Sequence, residues 1–272
     1  MSLRANLPTV AAQSSITLTK VPLLQQLEAV VDAGLTHCLN AVAAQLVDGI
    51  VTCNDLVTGE LVQSSRTPPV INAAINSKPT LTHGSGAVGV AGQIVRANKV
   101  GALDLGTGAW SICMLIRAMG TGSTDYILGS VPFAKAGASD YSPVVRFSAS
   151  GDKTLAPALV TNDLATARSF CNTKEFYNTN RLLCLTHTPG VGMKWYIDNW
   201  STPEKTDTAA IAQSAFTDGR FVVGSLGAGV SSLNFAGSWA VMTCHNVDLS
   251  LNNPARRGVM QAIAAYGGIT SS

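Results

Sequence analysis

The stretch from Arg181 to Trp200 constrains the fold of this chain more than any other. Two apolar segments, Arg181–Thr188 and Met193–Asp198, flank a Pro-Gly-Val-Gly turn. Successive side chains of an extended segment point to opposite faces, so the apolar residues of both segments share one face. These residues are Leu183, Leu185, Met193, Trp195 and Ile197, while Lys194, Tyr196 and Asp198 point the other way. We therefore predict a β-hairpin whose aromatic face is covered by a second sheet.

Strand-like segments recur on both sides of this hairpin. Residues 109–117 form the most continuous apolar strand of the first half, and we place it at the centre of a β-sandwich. Between residues 35 and 81, brief apolar runs alternate with turn residues, which indicates short strands joined by loops. Further predicted strands are 126–129, 144–147, 220–224 and 235–244.

The N-terminal residues 1–20 are rich in Ser, Thr, Ala and Gln, which is typical of an extended arm. A short helix should follow, with one apolar stripe formed by Leu23, Leu24, Leu27, Val30 and Val31. We predict that residues 1–31 are an attachment and oligomerisation element and that residues 32–272 are one sandwich domain. The stripe faces either a neighbouring subunit or the edge of the sandwich.

A second short helix is predicted at the C-terminus. Asn253 is placed to cap it, Pro254 suits its first turn, and Gly267 with Gly268 ends it after Tyr266. The expected architecture is all-β, with two packed antiparallel sheets and a short helix near each end.

Composition excludes several classes of function. The formal charge is +2 and only 12% of residues are charged, so there is no basic stripe to neutralise nucleic-acid phosphates. The chain has no uninterrupted apolar run of about 18 to 20 residues, the length that a membrane span requires. The N-terminus lacks the apolar core of a secretion signal, so we expect synthesis in the cytoplasm. Low charge with 46% hydrophobic residues favours a surface that lies partly against other subunits, although an Ala- and Gly-rich sandwich alone gives similar figures.

The cysteines indicate packing rather than cross-linking. They stand far apart, without a C-x-x-C pair, and several lie inside apolar runs, so we predict buried, reduced thiols. The six are Cys38, Cys53, Cys113, Cys171, Cys184 and Cys244.

Five segments, in their order along the chain, resemble the concanavalin A-like, laminin-G-like jelly-roll superfamily, in the form common among phage and bacterial proteins. They are Asp32-Ala-Gly-Leu35, the segment 49–55, Lys78-Pro-Thr-Leu81, the strand end Tyr196-Ile-Asp198-Asn199, and Leu249-Ser250 with the helix up to Tyr266. In the strand end, Asn199 stands where the family has a glycine, a change that a positive φ tolerates. The resemblance implies a jelly roll of two antiparallel sheets.

The resemblance also implies a function. We predict a phage virion structural protein, a capsid decoration, fibre or baseplate component, located in the virion and assembled in the host cytoplasm. Its partners would be other virion proteins, itself and host-surface glycans, with no nucleic acid and no membrane insertion. The alternative is a carbohydrate-binding, lectin-like adhesin.

Catalysis is not predicted. Glycosidases of this fold resemble one another in two close glutamates, because retaining chemistry needs carboxyl groups about 5 to 5.5 Å apart. No two glutamates of this chain lie within about ten positions of each other. They are Glu28, Glu60, Glu175 and Glu204.

Two kinds of binding site remain as predictions. Trp200, Tyr196 and Trp239 are candidates for a sugar-stacking platform, although tryptophans of sandwiches also serve as core. No cofactor is predicted apart from calcium, for which Asp198, Asn199 and Asp218 supply hard oxygen ligands, although these residue types also simply form turns. The histidines stand singly and lack zinc-site spacing.

Overall fold

The structure is a computed structural model of the chain. It describes residues 22–30, 32–65, 68–84, 94–97, 105, 107–118, 125–130, 142–149, 155–160, 168–169, 178–208, 221–223, 237–250 and 254–271. No helix in these ranges is long and apolar enough to cross a membrane.

Seventeen strands and two α-helices make up the described part. The helices are α1 (Pro22–Glu28) and α2 (Pro254–Tyr266), and a 3-10 turn spans Ala41–Ala43. The strands of the first half are β1 (Leu35–Asn40), β2 (Gln45–Val47), β3 (Ile50–Asn54), β4 (Leu61–Ser65), β5 (Val70–Ile75), β6 (Lys78–His83), β7 (Ile94–Ala97), β8 (Trp110–Ala118) and β9 (Asp125–Ser130). Those of the second half are β10 (Ser142–Ala149), β11 (Leu155–Val160), β12 (Arg168–Ser169), β13 (Arg181–Thr188), β14 (Gly192–Ile197), β15 (Lys205–Asp207), β16 (Phe221–Val223) and β17 (Gly237–His245).

The strands form two antiparallel sheets. The central sheet has eight strands in the order β15-β14-β13-β8-β17-β6-β5, and β1 pairs with the second half of β17. The outer sheet has nine strands in the order β12-β11-β10-β9-β16-β7-β4-β3-β2. The predicted all-β, two-sheet antiparallel sandwich with two short helices is confirmed.

The predicted hairpin is β13–β14, and its facing assignment is correct. Leu185 lies opposite Trp195 and Leu183 opposite Ile197, as the alternation requires. The turn is tight because Gly190 and Gly192 adopt φ values of 74° and 112°, which favour glycine. β8 pairs with the other side of β13, so the apolar strand predicted at the centre does lie there.

Both faces of the central sheet are buried. One face packs on the outer sheet and forms the intersheet core, which includes Trp110, Trp195 and Trp239. The opposite face packs on the two helices and forms the helix-side core, which includes Leu115, Tyr196 and Val241. Strands that are buried on both faces need a third layer, and α1 and α2 supply it.

The α1 stripe belongs to this helix-side core. Leu23, Leu24 and Leu27 are each buried there, and Val30 packs against the cluster. The helix is shorter than the predicted segment, and Val31 lies outside the described residues. The first three leucines therefore face the chain's own core and are not available to a partner, which corrects their predicted attachment role. The role of residues 1–20 remains a prediction.

The C-terminal helix ends as predicted. The N–H groups of Gly267, Gly268 and Ile269 bond to carbonyls of the last helical turn, and Gly268 has a φ of 69°. A Cβ at Gly267 would lie 2.5 Å from a methyl carbon of Leu115 on β8, so only glycine permits this approach. Asn253 lies outside the described residues.

Buried polar side chains fix β1 to its neighbours. His37 Nδ1 lies 2.6 Å from Asp55 Oδ2, and Asp55 Oδ1 accepts the N–H groups of Cys38 and Val57. Burial alone raises the pKa of Asp55, but the hydrogen bonds from His37 and from these two backbone groups hold its pKa below the usual value. The carboxylate thus ties β1 to the turn between β3 and β4.

His245 at the end of β17 is held as a neutral ring. Its Nδ1 lies 2.7 Å from the carbonyl oxygen of Ala33, so that nitrogen carries the proton, and its Nε2 lies 2.8 Å from the hydroxyl of Thr243. Burial lowers the pKa of His245 to about 4, and the bond to Ala33 opposes this shift only in part.

Truncation of Trp195 should test the intersheet core. Trp195 is 1% exposed, so Trp195→Ala should lower the free energy of unfolding by about 3 to 5 kcal/mol. Val191, in the hairpin turn, is 51% exposed, so Val191→Ala should change it by less than about 0.5 kcal/mol. Urea midpoints measure both, and equal shifts would contradict the burial of Trp195 in the intersheet core.

His245 should make stability depend on pH. The unfolded imidazole titrates near pH 6.5, so between about pH 6.5 and pH 4 the unfolded chain binds a proton that the folded chain excludes. The contribution is therefore complete above about pH 6.5 and is lost as the pH falls, by on the order of 3 kcal/mol. Urea midpoints across this window should fall less steeply for His245→Gln, which does not titrate. Identical slopes in the two proteins would contradict this assignment.

Candidate functional site

A polar segment crosses the helix-side face of the central sheet directly after β17. This crossing segment, residues 246–250, is held on β8 by Ser111, whose hydroxyl donates to the carbonyl of Val247 at 2.8 Å and accepts the N–H of Leu249 at 3.0 Å. Ser111 is buried, so its hydroxyl satisfies two backbone groups that would otherwise be unpaired. The segment is thereby placed over the hairpin.

Asp248 and Ser250 of the crossing segment bond to side chains of the hairpin. Asp248 Oδ2 accepts the hydroxyl of Thr188 at 2.5 Å, and its Oδ1 accepts the N–H of Ser250 at 2.7 Å. Ser250 Oγ in turn accepts Lys194 Nζ at 3.3 Å and the hydroxyl of Thr186 at 3.4 Å. Strands β13 and β14 and the crossing segment therefore share one buried polar cluster.

Cations and a phenol complete this arrangement, which we call the Asp248 cluster. It comprises Thr186, Thr188, Lys194, Tyr196, Asp248, Ser250, Arg256 and Arg257. Arg256, in the first turn of α2, donates from Nη1 to the carbonyl of Asp248 at 3.4 Å. Burial raises the pKa of Tyr196, and the hydrogen bond with Ser250 and the positive charge of Arg257 oppose that shift. The cluster thus combines three cations, one carboxylate and several hydroxyl groups.

His187 borders the cluster on the opposite side of β13. Its ring stacks on Trp110 with 5.2 Å between the centroids. Burial lowers the pKa of His187, while Asp248 and a hydrogen bond to the backbone of Gly108 oppose the shift. The neutral ring therefore serves as packing for Trp110.

A second arrangement lies at the open end of the hairpin, after β14. Asp198 accepts the N–H of Leu182 at 2.8 Å and pairs with Arg181, and its own φ is 51°. Asn199 Oδ1 accepts the N–H groups of Ser201 at 2.8 Å and Thr202 at 3.0 Å. The positive φ thus falls on Asp198 and not on Asn199, where the family pattern placed it. These bonds fix the residues on both sides of Trp200.

The three predicted sugar-stacking residues do not form one platform. Trp239 is completely buried in the intersheet core, where its Nε1 donates to His83 Nε2 at 3.0 Å, so it offers no face to a sugar. Tyr196 is buried on the opposite face of the sheet. Trp200 is partly exposed and packs its other side against the helix-side core, so it alone keeps the predicted placement.

The predicted calcium ligands are not assembled in the described residues. Asp198 is engaged by Arg181 and a backbone N–H, Asn199 closes a turn, and Asp218 lies outside the described ranges. In the part of the chain that the structure describes, no three His, Cys, Asp or Glu side chains are grouped to hold a metal ion. Calcium binding remains a prediction.

The described cysteines are free and buried, as their apolar settings predicted. They are Cys38, Cys53, Cys113, Cys184 and Cys244, and Cys171 lies outside the described residues. Cys113 and Cys184 face each other on β8 and β13, with 2.9 Å between their sulfur atoms, a hydrogen-bond contact. Burial is the largest cause that raises the pKa of Cys38 and of Cys53 to about 12, which leaves both as unreactive thiols.

Sequence reasoning missed the Asp248 cluster. Its members come from four segments that are distant in sequence and that only the crossing segment brings together. Two signals were present: Lys194 and Tyr196 alternate on the non-aromatic face of the hairpin, and a pair of arginines opens an otherwise apolar helix. Neither has a motif spacing, so neither indicates a site without the fold.

No protein-family model and no curated protein sequence matches this chain. Solved structures do match. A sialidase of Trypanosoma rangeli, in complex with a difluoro-KDN, aligns with a TM-score of 0.54 at 12% identity over 87% of this chain and 33% of the sialidase. Another structure of that sialidase holds sialic acid. The chain spans about a third of the sialidase's length.

Two other structures share the fold. A heptameric SAP-like pentraxin from Limulus polyphemus aligns with a TM-score of 0.50 at 15% identity, over 67% of this chain and 81% of the pentraxin. The W1252A mutant of HCR D/C VPI 5995 aligns with a TM-score of 0.56 at 11% identity, over 86% of this chain and 52% of the other. At these identities the likeness concerns the fold, which is a β-sandwich of the jelly-roll type. The jelly-roll part of the sequence resemblance is confirmed.

The prediction that the chain is not an enzyme is wrong as it was argued, because an enzyme, the sialidase, is among the structures that share its fold. The search for two closely spaced glutamates detects only one class of glycosidase. Sialidases use a tyrosine nucleophile, which glutamate spacing does not detect. The shared fold, at 11 to 12% identity, does not assign catalysis to this chain either.

Proposed function

We propose that this chain is a carbohydrate-binding jelly-roll module that attaches its carrier to a glycan-bearing surface. The observation that carries the proposal is the partly exposed Trp200, held between Asn199 and Ser201 in a hydrogen-bonded turn. Sugars bind where an aromatic face covers their C–H groups and a few fixed polar side chains meet their hydroxyls. At the open end of the hairpin, Trp200 offers a partly exposed ring next to the partly exposed polar side chain of Asn199, which supports this proposal.

Rigidity supports the same assignment. The carboxylate of Asp198 and the amide of Asn199 are fixed by bonds to Arg181 and to three backbone N–H groups. A site that is already ordered before binding loses less conformational entropy when the ligand arrives. The fold supports the proposal by analogy alone, since a sialidase structure with bound sialic acid shares it.

A glycan array with the intact protein tests this proposal. Trp200→Ala should weaken binding about tenfold or more, because one stacked ring and its desolvated contact are lost. Trp200→Phe should retain most of the affinity, and the exposed turn variant Val191→Ala should bind like the wild type. Melting temperatures separate lost binding from lost folding. A wild type that binds no glycan, or a Trp200→Ala protein that binds normally, would exclude this function. Repeating the array with calcium and with EDTA tests the predicted calcium site.

A second function, assembly into a particle, is favoured by one observation at the edge of the outer sheet. Leu46 on the edge strand β2 lies opposite Val51 on β3, so their side chains share the core-facing side. Val51 is 1% exposed, but Leu46 is 62% exposed. Nearby aliphatic side chains are also exposed, namely Val42, Val47, Ile50, Val57 and Leu61. The row of core-facing side chains therefore extends past the described residues that cover it, and Leu46 lies at its exposed end.

An apolar sheet edge of this kind pairs with another chain unless something blocks it. We therefore retain as a proposal the predicted role as a homo-oligomeric virion component, a capsid decoration, fibre or baseplate part, with β2 at the subunit contact. No comparison bears on the phage assignment.

A charge placed on β2 should test the assembly proposal. Leu46→Lys should shift the protein from oligomer to monomer, because burying an unpaired ammonium in the contact is strongly unfavourable. Val191→Lys adds the same charge at an exposed site on the hairpin turn and should leave the oligomer intact. Sedimentation velocity measures both. If the Leu46→Lys protein is still an oligomer, the subunit contact does not lie at β2.

A further inference from the structure

Three cations of the Asp248 cluster come from two elements. Lys194 Nζ on β14 donates to Ser250 Oγ at 3.3 Å, and Arg256 Nη1 in the first turn of α2 donates to the carbonyl oxygen of Asp248 at 3.4 Å. Arg257, next to Arg256, acts on Tyr196 through its charge. The only carboxylate that the described contacts place in the cluster is Asp248. Its two oxygens are engaged by neutral donors, the hydroxyl of Thr188 and the N–H of Ser250.

Counted over the described residues, the cluster therefore carries more positive than negative charge. Among the described residues, none of the three cations lies within ion-pair distance of a carboxylate. Arg256 Nε is shielded from solvent and has no hydrogen-bond partner within the described ranges. A shielded N–H group without an acceptor costs about 1 to 3 kcal/mol, which an oxygen from a ligand would recover.

Arg256 and Arg257 lie at a helix end where positive charge is unfavourable. The N-terminal end of a helix carries a partial positive charge, so cations there are unfavourable by about 0.3 to 1 kcal/mol each. The first turn of α2 has no acidic residue and contains Arg256 and Arg257. Anchoring α2 to the sheet explains the hydroxyl groups of Ser111, Thr188 and Ser250, since the first two bond to the crossing segment and the third bonds from the segment to the hairpin. It does not explain two arginines at this helix end.

We propose that the Asp248 cluster binds the acidic group of a glycan, a carboxylate or a sulfate, through Lys194, Arg256 and Arg257. This inference rests on the proposed carbohydrate-binding function and names its ligand class. Guanidinium groups form short, charge-assisted hydrogen bonds to planar or tetrahedral oxyanions. Ser250 and Tyr196 add hydroxyl groups within the same cluster.

A saccharide fits better than another polyanion for two reasons. Trp200 packs against the helix-side core that also contains Tyr196, so the aromatic residue and the cations lie on the same side of the hairpin. The whole chain has a net charge of only +2, which does not supply the extended basic surface that a nucleic-acid backbone requires. One local cluster suits one acidic substituent on an otherwise neutral sugar.

A matched pair of oligosaccharides tests the inference by calorimetry. The wild type should bind sialyllactose about tenfold more tightly than lactose, and the difference should shrink at high salt, because exposed charges are screened. Arg257→Gln, Arg256→Gln and Lys194→Gln should each reduce this preference about fivefold while leaving the weaker binding of lactose within about twofold. A heparin-derived tetrasaccharide in place of sialyllactose tests sulfate in place of carboxylate.

Lys205→Gln is the control, because it removes the same charge from the exposed strand β15, outside the cluster. It should leave both affinities unchanged. If Arg256→Gln destabilises the protein, Arg257→Gln at its partly exposed position carries the test alone.

The outcomes separate this inference from the function on which it rests. Equal affinity for lactose and for both acidic probes, with binding that still depends on Trp200, would overturn the acidic ligand and leave carbohydrate binding in place. If Lys205→Gln alone loses the preference for the acidic saccharide, the site lies at β15, and the inference is overturned as well. If no saccharide binds, both the carbohydrate-binding function and the acidic ligand are contradicted. A melting temperature that only inorganic sulfate raises would then indicate an adventitious ion only.

Discussion

Burial of both faces of the central sheet is the constraint on which the rest of this structure depends. β8, β13, β14 and β17 each contribute buried apolar side chains to both faces, so a single covering sheet would leave one set of them in water. The outer sheet covers one face and the two helices cover the other. The crossing segment exists because the chain must pass from β17 onto α2 over that second face. Its polar groups need partners there. Ser111 pairs with the backbone of Val247 and Leu249, and Thr188 pairs with the carboxylate of Asp248.

The facing of the hairpin was predictable because a period of two leaves no ambiguity once the turn is recognised. Trp195 and Ile197 went to one core and Tyr196 to the other, as the alternation requires. The sequence did not reveal that the second face is also buried. Lys194 and Asp198 lie on that face, and charged residues are usually exposed, yet Asp198 is buried and bonded to Arg181. In the sequence, a charged residue that is buried beside one partner cannot be distinguished from a charged residue that is exposed.

The same limitation explains why the sequence did not separate core residues from site residues among the candidates. A tryptophan in a strand and a tryptophan in a turn look alike in a list of aromatics, but strand pairing places Trp239 in the core, whereas Trp200 follows the end of β14. Leu23, Leu24 and Leu27 have the spacing of a helix that binds a partner, and the partner is the central sheet of the same chain. The Asp248 cluster had no signal with a motif spacing, because it depends on where the crossing segment runs. Fold class follows from local alternation, whereas a site assembled from four segments requires their placement in space.

The buried thiols have a consequence for following this protein in solution. Cys38, Cys113 and Cys184 lie in the helix-side core, and Cys53 and Cys244 lie in the intersheet core. Because all five are buried and out of reach, an alkylating reagent should label them only when their layer opens. The two groups therefore act as internal reporters for the two layers. The order in which they are labelled would reveal whether the helices detach from the sheet before the sandwich itself comes apart.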